Sequence, residues 1–308
     1  MISGAAAPVG RLESGVARHP DMSGVAVAPD GVRLAFDVYG SGEPTLVLLP
    51  SAPIIHSRQW KGQVHFLSRR YRVVTFDGRG NGRSDRPTEP DAYRDERFDG
   101  DLEAVMDATA TARAVLVGLC SDGVWRSIRL AASTPERVEG IVAFAVGVPR
   151  LSKPHPHYLE WSFGDELRTD DGWAKLNRHY WRRDYAGFAR FFFGEMTSEP
   201  HSTKALEDAV GWAVDGSVEA MIAEAHVEFT MDRAAVEAVC SSVTCPMLLV
   251  HGTEDSCQPL ARAERLSELT GATLVVVEGA DHMIPGRHPV LANLLIRDFV
   301  ELLPRSVP

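Results

Sequence analysis

Six apolar runs punctuate the chain, at residues 46–49, 72–76, 114–119, 141–146, 247–250 and 273–277. None shows the strict polar alternation of a strand with one wet face. Runs of this kind are strands buried on both sides, which requires a mostly parallel sheet with helices packed against either face. Helical spacing of apolar positions predicts those helices at 102–109, 124–133, 260–269 and 290–303. Ahead of the first run, Val25-Ala26-Val27 and Val32-Arg33-Leu34-Ala35-Phe36 flank Pro29-Asp30-Gly31, a hairpin with Asp-Gly at its turn. The pattern predicts an α/β fold of about eight strands, mostly parallel.

The alternation of strand and helix breaks once, between about Pro149 and Arg233, where no buried-strand run occurs. This segment holds Trp161, Trp173, Trp181 and Trp212 with Phe188, Phe191, Phe192 and Phe193, at helical spacing. An aromatic-rich helical insertion after the sixth strand is most simply a cap over the active site, and it favours a bulky apolar substrate. The same aromatics could serve only to glue the insertion to the core. The predicted organisation is a loosely held arm over 1–22, a core over 23–148 and 234–308, and a helical cap over 149–233.

Composition narrows the function. The 308 residues suit one large domain with an inserted part. A formal charge of −10 argues against binding a phosphate backbone, so nucleic acid is not an expected partner. The four cysteines make a poor disulfide framework and none of their spacings reads as a zinc site, so neither metal nor cofactor is expected. The N-terminus lacks the basic start and apolar core of a signal peptide, and no apolar run approaches the ~20 residues of a membrane span. The expectation is a cytoplasmic protein that acts on a small molecule.

The chemistry concentrates at Gly118-Leu119-Cys120-Ser121-Asp122-Gly123, between an apolar run and a predicted helix. A strand that turns sharply into a helix pushes one side chain out at the end of the sheet, above the free N–H groups of the helix. Such a turn needs small residues two before and two after the nucleophile. Gly118 meets that need for Cys120, although Asp122 stands at the second position; Ser121 and Asp122 are weaker candidates for the nucleophile.

Four separated segments over about residues 25–305 resemble the α/β-hydrolase family. The elbow is similar to the family's Gly-x-Ser-x-Gly, with cysteine in place of serine. Asp77-Gly78-Arg79-Gly80-Asn81-Gly82-Arg83-Ser84 resembles its Arg-Gly-His-Gly-x-Ser loop, and Gly252-Thr253-Glu254-Asp255 and Gly279-Ala280-Asp281-His282 match two further loops. The resemblance implies a capped hydrolase with Cys120, Asp255 and His282 as nucleophile, acid and histidine, in the family's chain order. It also implies an oxyanion hole from the N–H groups of Ser121 and Ala52, in a loop where Pro50-Ser51 replaces the usual His-Gly. His56, Trp60, Asp122, Trp161 and Trp181 are the remaining candidates for the pocket.

The function expected is hydrolysis of an ester, thioester or lactone with an apolar acyl part, through an acyl-thioester on Cys120. The alternatives are acyl transfer or cyclisation from the same intermediate, or a catalytically weak ligand-binding protein; an epoxide hydrolase using Asp122 is weaker still. Cys257, two residues after Asp255, could oxidise with Cys120 if their loops converge.

Overall fold

The computed structural model of the protein describes residues 18–304. The two segments of the predicted hairpin and the six apolar runs form one eight-stranded sheet: β1 (Met22–Val27), β2 (Arg33–Tyr39), β3 (Thr45–Leu48), β4 (Arg72–Phe76), β5 (Ala114–Leu119), β6 (Val138–Phe144), β7 (Met247–Gly252) and β8 (Thr273–Val277). Their order in the sheet is β1-β2-β4-β3-β5-β6-β7-β8. β2 pairs antiparallel with β1 and β4, and the other neighbours pair parallel. β1 begins three residues earlier than its apolar core suggests, because this outer strand is mostly exposed and buries only Ala26.

The predicted arm needs a correction where it is described. Its residues 1–17 lie outside the described residues, but 18–22 are fastened to the sheet. The Asp21 N–H donates to the Val38 carbonyl (2.8 Å), its carboxylate accepts from Gly40 N–H (2.6 Å), and Met22 opens β1.

Among the described residues ten helices accompany the sheet: α1 (Lys61–Leu67), α2 (Asp95–Ala108), α3 (Cys120–Ser133), α4 (Arg178–Met196), α5 (Thr203–Val214), α6 (Val218–Ala225), α7 (Arg233–Ser241), α8 (Leu260–Thr270), α9 (Ile284–Arg287) and α10 (Pro289–Leu302). α2 starts seven residues before its apolar stripe; its first turn holds Asp95 and Glu96, acids suited to the positive end of a helix. α1 carries no legible stripe because a core position is occupied by Gln63, fully buried with its amide donating to the Pro285 carbonyl (2.9 Å).

Alternate residues of the central strands feed two cores. Leu46, Leu48, Val115, Val117, Val142 and Phe144 face one side with Trp60, Leu67 and Ile296. Val47, Leu49, Leu116, Ile141 and Ala143 face the other, against Leu102, Val105, Ile128 and Leu266. Full burial of each such side chain is worth about 1.5–3 kcal/mol. The first core continues past the strand ends into Trp181, Phe188, Phe193 and Met196 of the inserted segment. The site lies where these two parts meet.

Candidate active site

Cys120 is the first residue of α3 and has φ of +60°. A side chain there is strained by about 1–3 kcal/mol, and such a conformation persists only where the surroundings enforce it. Three glycines do so. A Cβ on Gly118 would strike the Gly123 carbonyl, and one on Gly147 would strike the backbone of Ser121. The close approach thus falls on Gly123, three residues after Cys120, which explains why Asp122 is tolerated at the position where sequence reasoning asks for a small residue. Asp122 N–H donates to the Ser51 carbonyl (3.2 Å), and its carboxylate lies 3.4 Å from Arg126.

Two loops at the ends of β7 and β8 complete the arrangement. His282 Nδ1 lies 3.0 and 2.9 Å from the two carboxylate oxygens of Asp255. Asp255 also accepts from the N–H groups of Cys257 and Gln258, both at 2.8 Å, while Glu254 is exposed. His251 Nδ1 accepts from Val146 N–H (3.0 Å), so its proton sits on Nε2, which donates to the Gln258 carbonyl (2.9 Å) and lies 3.4 Å from Asp255. The acid is therefore held from three sides. With Nδ1 against a carboxylate, the His282 ring turns its other nitrogen away from Asp255.

The sulfur of Cys120, the sulfur of Cys257 and a ring nitrogen of His282 all lie within 4.8 Å of one another. Gln258 Nε2 donates to both sulfurs, at 3.5 and 3.4 Å, and Tyr158 hydroxyl reaches Cys257 at 3.5 Å. The hydrogen bond from Cys257 holds the Cys120 thiol well below its ordinary range despite burial, helped by the charge and hydrogen bond of His282 and by Ser121. Cys257 is pushed the opposite way, by that same bond and by burial. Burial opposes a charged imidazole, yet Asp255 and the two sulfurs outweigh it and hold His282 well above the usual histidine range. These directions favour negative charge on Cys120 and positive charge on His282, with the proton of the thiol pair on Cys257.

Two sulfurs and an imidazole are also donors that zinc accepts. The Arg262 guanidinium, buried close enough to feel both sulfurs, favours thiolate anions there and opposes a divalent cation.

A cavity of about 240 Å³ opens beside Cys120. Ser121, Ala52, Cys257, Gln258 and His282 border it together with Ile54, Ile55, Trp181, Phe188, Phe192, Phe193, Met196 and Met221. The structure thus gathers Cys120, Asp255, His282, Ser121, Ala52 and Trp181. Other sequence candidates fall elsewhere. Trp60 is fully buried in the core with its indole N–H donated to the Leu49 carbonyl (2.8 Å), and Trp161 is 42% exposed. His56 accepts from Arg58 N–H (3.4 Å), stands edge-on to Trp212 and borders a separate polar cleft. Asp122 lines a small pocket with Pro50, Ala52, Arg79 and Arg126 behind the elbow.

Sequence reasoning did not place Tyr158, Gln258 or His251 at the site. Nothing in the sequence signals Tyr158. The other two flank Asp255 within a few residues, which is a usable hint.

Parallel strands, a strained elbow at the end of β5, and Asp255 and His282 paired in the loops after β7 and β8 are the arrangement of an enzyme of the α/β-hydrolase type. The family model described as "alpha/beta hydrolase fold" matches residues 44–289, and the chain belongs to that family. It is 26% identical over 288 residues to a non-heme chloroperoxidase of Streptomyces lividans, covering 90% of this chain and 99% of that one. Its structure is similar to the esterase RhEst1 from Rhodococcus sp. ECU1013 (TM-score 0.74, 21% identity, 92% and 99% covered). It is also similar to the enol-lactonase from Burkholderia xenovorans LB400 (TM-score 0.72, 22% identity, 90% and 100% covered).

Proposed function

We propose that the protein hydrolyses an ester, thioester or lactone with an apolar acyl part, through a thioester on Cys120. The observation that carries this reading is Cys120 at a strained elbow, its sulfur within 4.8 Å of a His282 ring held by Asp255, bordering an apolar cavity. Cys120 sulfur attacks the carbonyl carbon, and the oxygen that gains charge is stabilised by the N–H groups of Ser121 and Ala52. His282 gives its proton to the departing alcohol or thiol. As a neutral base it then takes a proton from water, which attacks the thioester and frees the acid. Asp255 keeps the ring oriented and stabilises its charge in both half-reactions.

The inserted segment acts as a cap in this reading. Tyr158, Leu176, Trp181, Phe188, Phe192, Phe193, Met196 and Met221 give it an apolar share of the cavity wall, which suits an acyl chain or ring rather than a charged group.

The test is hydrolysis of a series of p-nitrophenyl esters and acyl thioesters by the wild type and Cys120→Ala, with an amine and an alcohol offered as competing acceptors. Turnover to free acid that falls by about 10⁴-fold or more in Cys120→Ala supports the reading. Turnover that survives in Cys120→Ala overturns it, and product formed only with the added acceptors replaces hydrolysis by acyl transfer.

A further inference from the structure

The acyl mechanism leaves Cys257 without a task, although its sulfur lies within 4.8 Å of the Cys120 sulfur and of a ring nitrogen of His282. Cys120 sits on the elbow and Cys257 on the loop from β7 to α8, 137 residues further on, yet their sulfurs lie within 4.8 Å. A disulfide requires the two sulfurs to close to about 2.05 Å. Both border the apolar cavity, so a small molecule that reaches one reaches the other.

Their protonation states are complementary. Cys120 is shifted toward the thiolate and Cys257 toward the thiol, and a ring nitrogen of His282 lies within 4.8 Å of both sulfurs, placed to carry a proton between them. Cys240 and Cys245 provide an internal contrast: burial pushes them up to about 12 and about 11, far from reactivity at neutral pH.

We propose that Cys120 and Cys257 form a redox dithiol that reduces an organic hydroperoxide whose apolar part occupies the cavity. Cys120 sulfur attacks the terminal oxygen of R–O–O–H; the S–O bond forms as the O–O bond breaks. The alkoxide leaves with the His282 proton as an alcohol, and Cys120 becomes a sulfenic acid. Cys257 then passes its proton to His282 and its sulfur attacks that of Cys120. The S–S bond forms, the S–O bond breaks, and hydroxide leaves as water with the proton from His282. Two thiols lose two electrons and the hydroperoxide gains them, giving one alcohol and one water; an external dithiol restores the pair. The proposal needs the Cys120 thiolate but no acyl transfer, so it stands or falls separately from the hydrolytic reading.

The experiment treats the reduced full-length protein with one equivalent of cumene hydroperoxide, follows loss of the peroxide, and maps the cysteines by mass spectrometry without reduction. The wild type is expected to consume one equivalent and yield a Cys120–Cys257 disulfide with Cys240 and Cys245 still reduced. Cys257→Ser is expected to consume the peroxide but halt at a Cys120 sulfenic acid, trapped by dimedone, whereas Cys120→Ala consumes none. Cumene hydroperoxide should react at least about tenfold faster than hydrogen peroxide, the discrimination an apolar pocket provides. A wild type in which Cys120 stays reduced, or passes to sulfinic acid while Cys257 stays a free thiol, overturns the proposal. Equal rates with the two peroxides overturn the assignment of an apolar substrate.

Discussion

Cys120 acquires its character from groups that the chain brings from three places: Ser121 beside it, Cys257 on the acid loop and His282 after β8. The sign of each effect fixes the pH dependence. The thiol ionises well below its ordinary range and the imidazole keeps its proton above its own, so the ion pair persists across neutral pH. It is lost in acid as Cys120 is protonated and in alkali as His282 deprotonates. Alkylation of Cys120 by iodoacetamide, mapped by peptide mass, should therefore hold a plateau through neutrality and fall only in acid. A single rise centred near the ordinary thiol value of about 8.5 would contradict the pairing. Asp255→Asn should retain the fold and lower kcat by about 10³–10⁴-fold, because the carboxylate that orients the ring and stabilises its charge is gone; ester turnover and far-UV circular dichroism on the same sample check both parts.

That Cys120, Asp255 and His282 meet was legible because each follows an apolar run in a fixed chain order. The misplacements at the same scale have a common cause. Trp60 and His56 lie close in sequence to the Ala52 loop, but an indole N–H bonded to the Leu49 carbonyl and an imidazole that caps the turn after it point these rings away from the cavity. Such bonds are tertiary or depend on local geometry, and residue type does not reveal them.

Among the elements, the turn from β5 into α3 is the one whose backbone the chemistry depends on. Gly118→Ala drives a methyl group into the Gly123 carbonyl and should destabilise the protein by about 1–3 kcal/mol or more, with loss of turnover. Gly211→Ala, in α5 where added atoms meet nothing, should instead raise stability by about 0.5–1 kcal/mol. Thermal unfolding of the pair tests whether close packing or mere glycine content matters at the elbow. A third element is the loop after β4, where the fully buried Arg79 joins Asp30 of the hairpin turn to Asp101 of α2. Removing the guanidinium strands two carboxylates, and Arg79→Met should cost about 3–5 kcal/mol in denaturant unfolding. Buried strands were legible because both of their faces are apolar. The start of β1 and the whole of α1 were not, because one is an exposed edge strand and the other places Gln63 in the core.

At the scale of the whole molecule, the inserted segment and the sheet meet around one cavity, and contacts latch them together. His155 Nε2 donates to the Asp255 carbonyl (2.9 Å), and the Ser256 hydroxyl donates to the Glu195 carbonyl of α4 (2.6 Å). Aromatic side chains on α4 form much of the cavity wall. Phe192→Ala enlarges the cavity and should shift kcat/KM toward longer acyl chains by about tenfold relative to short ones, read from an ester series. Among the described residues no helix is long and apolar enough to cross a membrane. The aromatic insertion was legible as a break in the strand-helix rhythm, but which of its rings border the cavity depends on how its helices turn. Trp161 is exposed, while Trp181 lines the wall.

Whether Cys120 carries the acyl group is decided by intact-protein mass spectrometry after brief exposure to an activated apolar ester. One acyl adduct is expected in the wild type, located on Cys120 by peptide mapping, retained in Ser121→Ala and absent in Cys120→Ala. An adduct that persists in folded Cys120→Ala, or that maps to Ser121 or Asp122, would contradict the assignment to Cys120.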